Sequence, residues 1–410
     1  MTPPPLYVTV PLAGMLVSLA LPAAKPGLAR RAASFFSAAA LLLSALALIP
    51  ESGDAAPSGV LDAFFTSGGI PAAGPAAAAI QLAFLACMLA PFPKQTALTP
   101  GRYYAIMLAA QAATGGATET HGWTAFFFWT ASAAAPYLAL RACGLKARAF
   151  AAFNGISCLL LAAATLGLDG GQPWPYILLI IAALIRTASF PMHWWLRSSA
   201  QDAPAPLSAL LCGPFAASGL YLLACTASHP ALQPLPQWLA WAMLAPVCFG
   251  AFAALAKRGM SAGLAFASSA HCAAFSFAAA LGTPAALQAA LLGCTAQALA
   301  PAMALLSSSR PEEERPFFSA LALAGAPFTA TFAGLFLCAA LAFRAGPWLA
   351  LVLITALVMN AAACCAAASK PAGAAQNAQP SSKLVLALLA AAILLGGLFP
   401  PLPPGAELPF

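Results

Sequence analysis

Charge is what this sequence has least of. Only 7% of its 410 residues are Asp, Glu, Lys or Arg, against about 25% in an ordinary soluble domain, too few to dress a water-facing surface. A soluble enzyme, a nucleic-acid binder and a disordered tail are excluded on that ground. The net charge of +7 is no nucleic-acid footprint, because the basic residues are spread along loops. The phosphate-binding pattern GxxxxGK[ST], the dinucleotide pattern GxGxxG and a haem-type CxxCH are all missing, and Ser268-Ser269 and Ser307-Ser308-Ser309 are too plain to propose a nucleophile. The eleven cysteines form no CxxC and no Cys/His ligand spacing; ten lie inside apolar stretches, as small packing residues do. No metal, cofactor or catalytic centre is therefore assigned. Nothing basic precedes the first apolar run, Leu6 to Ala23, and Lys25, Arg30 and Arg31 follow it, so it reads as a retained helix and not a signal peptide.

What the chain has in excess is apolar length. Hydrophobic residues make up 62%, mean hydropathy is +0.87, and many windows of about twenty residues carry no charge. Breaks in these runs predict fourteen membrane helices: 5–23, 31–50, 75–92, 102–119, 122–142, 148–168, 174–197, 204–226, 237–256, 260–281, 284–307, 317–343, 347–368 and 382–400. At about 20 residues each they use about 280 positions. The rest makes short connections, so 1–410 reads as a single all-α polytopic membrane domain. The longest loops, Glu51 to Gly74 and Lys370 to Lys383, are rich in Gly, Pro, Ser and Ala.

The charges check that count. Loops after odd-numbered helices hold 15 of the 17 basic residues, while loops after even-numbered helices hold only Arg344 and carry Glu51, Asp54, Asp62, Glu119 and Asp169. The positive-inside rule puts the odd loops in the cytoplasm, including Arg310-Pro-Glu-Glu-Glu-Arg315, and both termini outside. One basic residue is left over. Arg186 lies inside the seventh helix, where an arginine at membrane depth costs at least about 2.5–3.5 kcal/mol. It predicts a charge facing a polar interior; the plainer reading is an arginine that pairs with backbone carbonyls and holds helices together.

Pro191 breaks that helix by removing a hydrogen bond, and Pro327 does the same to the twelfth. Broken helices five apart in order predict two inverted five-helix repeats, helices 4–8 (102–226) and 9–13 (237–368), with the breaks marking an ion or substrate path.

The segment Arg186-Thr-Ala-Ser-Phe-Pro-Met-His-Trp-Trp-Leu-Arg-Ser-Ser-Ala-Gln-Asp-Ala-Pro-Ala-Pro-Leu-Ser-Ala-Leu-Leu211 resembles the signature of the antiporter-like membrane subunits of respiratory complex I and Mrp cation/proton antiporters. Phe190, Pro191, His193, Trp195, Leu196, Pro204, Pro206, Ser208, Ala209 and Leu210 carry the match. Weaker likenesses follow in order at Arg102, Phe128-Trp129, Leu264–His271 and Leu323–Phe328. Within that family, Leu196-Arg-Ser-Ser199 looks closest to members paired with a soluble zinc protein in inorganic-carbon uptake. The resemblance implies a membrane subunit of a multi-subunit complex in the bacterial inner membrane, taking part in proton or cation translocation. It also implies further membrane subunits and a soluble or peripheral catalytic partner, such as the redox part of an NADH:quinone oxidoreductase. The alternatives are a subunit of a proton-driven inorganic-carbon uptake complex, and a non-pumping structural anchor.

The departures are chemical. The family pairs a glutamate in the fifth helix with a lysine in the seventh; here those positions resemble Thr130 and Arg186. An arginine does not release its proton, and Thr130 cannot modulate a charge. Cys212 replaces a histidine, and Ala300 and Phe332 stand near expected lysines. The remaining ion-path candidates are Arg186, Thr130, His193 and His271, the two histidines because imidazole titrates near neutral pH. The plainer readings are a fixing role at the broken helix for His193 and a buried neutral imidazole for His271. His121 and His229 fall at outer helix ends. The expectation for Arg186 is a fixed charge on a hydrated surface, countered by carbonyls at the Pro191 break, water, an anion or a partner's acid.

Overall fold

The structure, a computed structural model, describes residues 5–22, 25–46, 73–93, 96–119, 122–168, 172–200, 202–257, 259–310, 317–369 and 382–398. Among these there is no strand. The helices in chain order are α1 (Leu6–Ala20), α2 (Pro26–Leu46), α3 (Ala73–Leu89), α4 (Pro100–Glu119), α5 (Gly122–Ala142) and α6 (Arg148–Gly167). Next come α7 (Trp174–Arg186), α8 (Trp194–Ser199), α9 (Ala205–Leu210), a π-helical turn Leu211–Phe215 and α10 (Ala216–Ala227). Then follow α11 (Gln237–Ala256), α12 (Met260–Ala280), α13 (Pro284–Ser307), α14 (Phe317–Ala324), α15 (Ala330–Ala345), α16 (Pro347–Ala368) and α17 (Lys383–Leu398). Each of the fourteen predicted helices has a counterpart, whole or broken. The second begins earlier than its first uncharged window suggested, at Pro26, because a proline suits the first helical position. The loops 51–72, 311–316 and 370–381, with His121, Asp169 and the side chains of Glu119 and Arg197, lie outside the described residues.

Seven of these segments are long and apolar enough to cross a membrane by length and composition, and five shorter apolar helices accompany them. Two form the centre. Every residue of α12 and nearly every residue of α13 is buried, whereas α6, α11 and α16 show large side chains such as Leu159, Phe252 and Val358 outward. The central pair is rich in Ala, Ser and Gly, which lets backbones approach where lipid gives no hydrophobic drive for helix association. Gly250 of α11 has the backbone of Ala270 2.9 Å from where a Cβ would lie. The ring of Phe275 in α12 occupies the corresponding space over Gly293 of α13.

Three spans are interrupted. The seventh ends at Arg186 and resumes at Trp194; the twelfth stops at Ala324 and resumes at Ala330. In both the helix stops about one turn before its proline, because a proline lacks an N–H and crowds the carbonyl four residues back. Gly325 takes a φ of +79° to turn the chain, and the Thr329 hydroxyl caps α15 by accepting from Phe332 N–H at 3.2 Å. The third interruption, inside the predicted helix 204–226, was not expected. Gly213 leaves helical geometry (φ −93°, ψ −105°) just before Pro214. The interruption of the seventh span also corrects the picture of Arg186 sitting mid-helix. It is the last residue of α7.

Candidate functional site

The break after Arg186 creates the site. Ala188 adopts a positive φ of +54°, and the carbonyls released from the α7 ladder find new donors. Trp195 Nε1 donates to the Ile185 carbonyl at 2.8 Å, and Ser269 Oγ of α12 donates to the Ala188 carbonyl at 2.8 Å. The break is thus tied to α8 and to the central helix.

Arg186 is wholly buried. Its Nη1 donates to Ser132 Oγ at 2.6 Å and its Nη2 to the Trp129 carbonyl at 3.0 Å, both on α5. The guanidinium carbon lies 3.5 Å from the Trp129 ring centroid and 4.4 Å from that of Phe215, a cation–π sandwich in a dry setting. Its stem crosses Gly219 of α10, where a Cβ would come within 2.9 Å of Arg186 Cβ. The one acid whose side chain is described, Asp202, is exposed, so the charge is met by dipoles and aromatic faces. The carbonyl that serves it comes from α5 and not from the Pro191 break. Nε has no partner.

Thr130 is next to Trp129 in sequence, yet its hydroxyl is buried without a hydrogen bond and is not among the groups bonded to Arg186. Ser132 does that work, with its own proton donated to the Trp129 carbonyl at 2.7 Å. Trp129 is fixed in turn: Nε1 donates to Ser157 Oγ at 3.0 Å, and Ser157 Oγ donates to the Ala182 carbonyl at 2.9 Å. Sequence reading missed Ser132 because a serine in an Ala-rich helix carries no signal of its own.

A second node forms at the eighth-span break. The Cys212 carbonyl accepts from Gln297 Nε2 at 2.8 Å and from Ser268 Oγ at 3.1 Å, and Gln297 Nε2 also donates to Ser268 Oγ at 2.6 Å. At the position read as a lost histidine, the backbone is the functional group. The third node is His271 with Asn360 of α16. Asn360 Nδ2 donates to the Ala267 carbonyl at 3.1 Å and lies 2.9 Å from His271 Nε2. With both amide hydrogens so directed, Nε2 is the acceptor and the imidazole is neutral, protonated at Nδ1. Asn360 is the one amide in α16, a signal the sequence offered and the prediction did not use.

His193 stands apart, at the N-terminus of α8. Its ring packs 4.5 Å from Phe249 and 5.6 Å from Phe190, half-buried, with Nδ1 lacking a partner. Pro191 and Pro327 lie at two separate breaks. The structure therefore brings together Arg186 with α5 and α10, and His271 with α16, but places neither His193 nor Thr130 in those bonded sets. Among the described residues, no group of three His, Cys, Asp or Glu side chains is placed to hold a metal.

The His271–Asn360 contact has a measurable consequence. Leucine at position 360 leaves Nε2 without its donor, and leucine at 271 strands the amide. In a double-mutant cycle read by thermal unfolding, His271→Leu and Asn360→Leu are expected to couple by about 1 kcal/mol, the scale of interhelical hydrogen bonds in membranes. Additive single losses would show the contact to be energetically idle.

Comparison with known proteins agrees with this fold. Residues 149–316 match the family described as NADH:quinone oxidoreductase/Mrp antiporter, TM. The whole chain superposes on a chain of respiratory complex I from Thermus thermophilus (TM-score 0.74, 18% identity, covering 97% of each chain). It is similarly close to a chain of the Mrp complex from Dietzia sp. DQ12-45-1b (TM-score 0.75, 16% identity, 96% and 93% covered). A chain of the membrane-bound sulfane sulfur reductase, an archaeal respiratory membrane complex, gives 0.73 at 16% identity, with 96% and 94% covered. No curated protein matches the chain. The chain thus has the fold of these membrane-complex chains, and the family match covers the spans from the sixth to the eleventh; its apolar helices mark an integral membrane protein.

Proposed function

We propose that this chain is an inner-membrane subunit of a larger ion-translocating complex, taking part in proton or cation translocation without a lysine relay of its own. The observation that carries the reading is Arg186. A relay needs a group that takes up and releases a proton, and a guanidinium does not; here it is also clamped by Ser132, the Trp129 carbonyl and two rings. His271 accepts a hydrogen bond at Nε2 and serves as a fixed dipole. The midplane is polar and tied to broken helices, yet its charge is constant. Such a subunit shapes the field and the hydration of a path while energy comes from elsewhere, so a peripheral catalytic partner is required.

The orientation follows from the distribution of charge. Basic loops on the cytoplasmic side put both termini outside; the exposed Trp123, Trp174, Trp238, Trp241 and Trp348 mark one headgroup level and the exposed Trp194 the other. The first five sit at starts of odd-numbered spans, on the face opposite the basic loops. The matched breaks in spans seven and twelve support two inverted repeats, 102–226 and 237–368.

Affinity capture of the full chain in mild detergent, followed by mass spectrometry, is expected to recover further membrane subunits together with a soluble or peripheral subunit. Redox subunits would assign the respiratory role; a soluble zinc protein would assign the inorganic-carbon role. A monodisperse, active monomer would overturn the proposal.

A further inference from the structure

Charge is unevenly shared along the face that the basic loops assign to the cytoplasm. The connections after the first, third and fifth spans carry eight basic residues and no acid. Those after the seventh, ninth, eleventh and thirteenth carry seven basic residues, together with Asp202 and Glu312-Glu313-Glu314. Topology needs an excess of Lys and Arg on one side, and acids count for little in it. It gives no reason to keep acids out of one half.

The fold gathers the acid-free half into one surface. Gly101, at the start of α4, lies against the Ser18 and Leu21 carbonyls at the end of α1, so Arg102 stands four residues' reach from Lys25. Ala97 N–H donates to the Ala142 carbonyl at 2.9 Å and ties the approach to α4 to the end of α5, beside Arg141. Arg141 Nη1 in turn reaches the Leu145 carbonyl at 3.5 Å, just before Lys146 and Arg148. Lys25, Arg102, Arg141, Lys146 and Arg148 are all exposed. Three helices, α2, α4 and α6, also begin on this surface, and none has an acid in its first turn. Their positive ends add to the field of the cations.

The position of Arg102 selects the kind of partner. α4 packs against α1, α2, α3 and α5, and Arg102 is its one exposed residue among those described. A cation on a helix enclosed by four others is exposed end-on, toward the water above the bundle. Lipid headgroups surround the rim of a bundle and do not cover its end. An acidic protein surface does, and opposite potentials are how such surfaces find their register.

We propose that the cytoplasmic ends of α2, α4, α5 and α6 form the docking surface for an acidic face of a peripheral subunit, with Arg102 on the enclosed helix and Lys25, Lys146 and Arg148 around it. This rests on the reading above that the chain works with such a subunit.

The test is carbodiimide coupling in native membranes, which joins a lysine amine directly to a carboxylate, followed by affinity capture of the full chain and mass spectrometry. Lys25 and Lys146 are expected to be joined to Asp or Glu of the peripheral subunit. In the variant Arg102→Gln/Lys146→Gln/Arg148→Gln, retention of that subunit at about 0.1 M salt should fall about tenfold, since each exposed ion pair contributes about 1.4- to 5-fold. Arg102→Lys/Arg148→Lys, which keeps the charge, should retain it, as should Lys383→Gln in the other half. Lys25, Arg31 and Arg141 remain to hold the topology, and unchanged recovery of the other membrane subunits checks the fold. Coupling confined to lysines of the other half, or undiminished retention by the triple variant, would overturn the docking surface and leave the complex itself standing. Loss of co-purified phosphatidylglycerol from the triple variant with full retention of the peripheral subunit would assign the patch to lipid and overturn it too. A wild-type chain that brings down membrane subunits but no peripheral one would instead refute the reading on which the surface rests, and the surface with it.

Discussion

Replacing Arg186 with alanine is expected to cost about 3–5 kcal/mol, the range for emptying a large buried site. The guanidinium fills the space between the Trp129 and Phe215 rings, and the neighbours cannot close over that gap. Methionine at the same position is expected to behave quite differently. It keeps the stem that packs on Gly219 and removes a charge that has no carboxylate partner among the described residues. Ser132 and the Trp129 carbonyl remain bonded to each other, so few polar groups are stranded. Replacing a buried charge by a well-packed apolar group is often neutral or stabilising, and Arg186→Met should stay within about 1.5 kcal/mol of the native chain. Thermal unfolding of the two purified variants decides the matter. Equal losses would mean that the charge itself, and not the volume, joins α5, α7 and α10.

Function should separate from stability in the same series. Arg186→Gln is expected to impair assembly or ion flux although it folds, while Arg186→Lys keeps a positive charge and part of the activity. Full activity in the glutamine variant would make the charge dispensable. A gain of proton conductance in the lysine variant alone would mark Arg186 as a switched-off relay position, because a desolvated lysine can release its proton. That result would favour the structural-anchor role.

The second large effect is expected at Gly213. A Cβ there would stand 2.8 Å from the Ala298 carbonyl and 3.2 Å from Ala302 Cβ, so α13 must move for any side chain to fit. Gly213→Ala should cost about 1–3 kcal/mol, and Gly213→Val more, as overpacking does. The displacement would also pull Gln297 of α13 from the Cys212 carbonyl, now 2.8 Å away. Gln297→Leu reports on that bond separately, and should cost about 0.5–1.5 kcal/mol. Tolerance of valine at 213 without loss of stability would contradict the close approach of the two helices.

Much of this was open to reading in the residues alone. Fourteen spans were visible because a bilayer demands about twenty apolar residues per helix and leaves charges only in the loops. Arg186 was visible because one cation in an apolar run is costly, hence conspicuous. Its partners were not, since Ser132 and the Trp129 carbonyl lie more than fifty residues away in sequence and every residue has a carbonyl. Asn360 and Gln297 were similarly silent until α16 and α13 were seen against α12 and the eighth span.

The prolines draw the line most clearly. Pro191 and Pro327 pointed correctly to interruptions of the seventh and twelfth spans, but a proline alone is not sufficient to break a helix in this chain. Pro11, Pro136, Pro246 and Pro301 sit inside continuous helices α1, α5, α11 and α13, while Pro214 accompanies a break that went unforeseen. At the two buried breaks the structure shows waiting donors: Trp195 and Ser269 for the carbonyls after α7, Gln297 and Ser268 for that of Cys212. In lipid no water is at hand to satisfy a released backbone group. Composition and order alone marked fourteen apolar stretches, each with a helical counterpart, and showed where the one cation inside such a stretch lies. Which helices open, and what that charge touches, was decided by the neighbours able to supply a hydrogen bond.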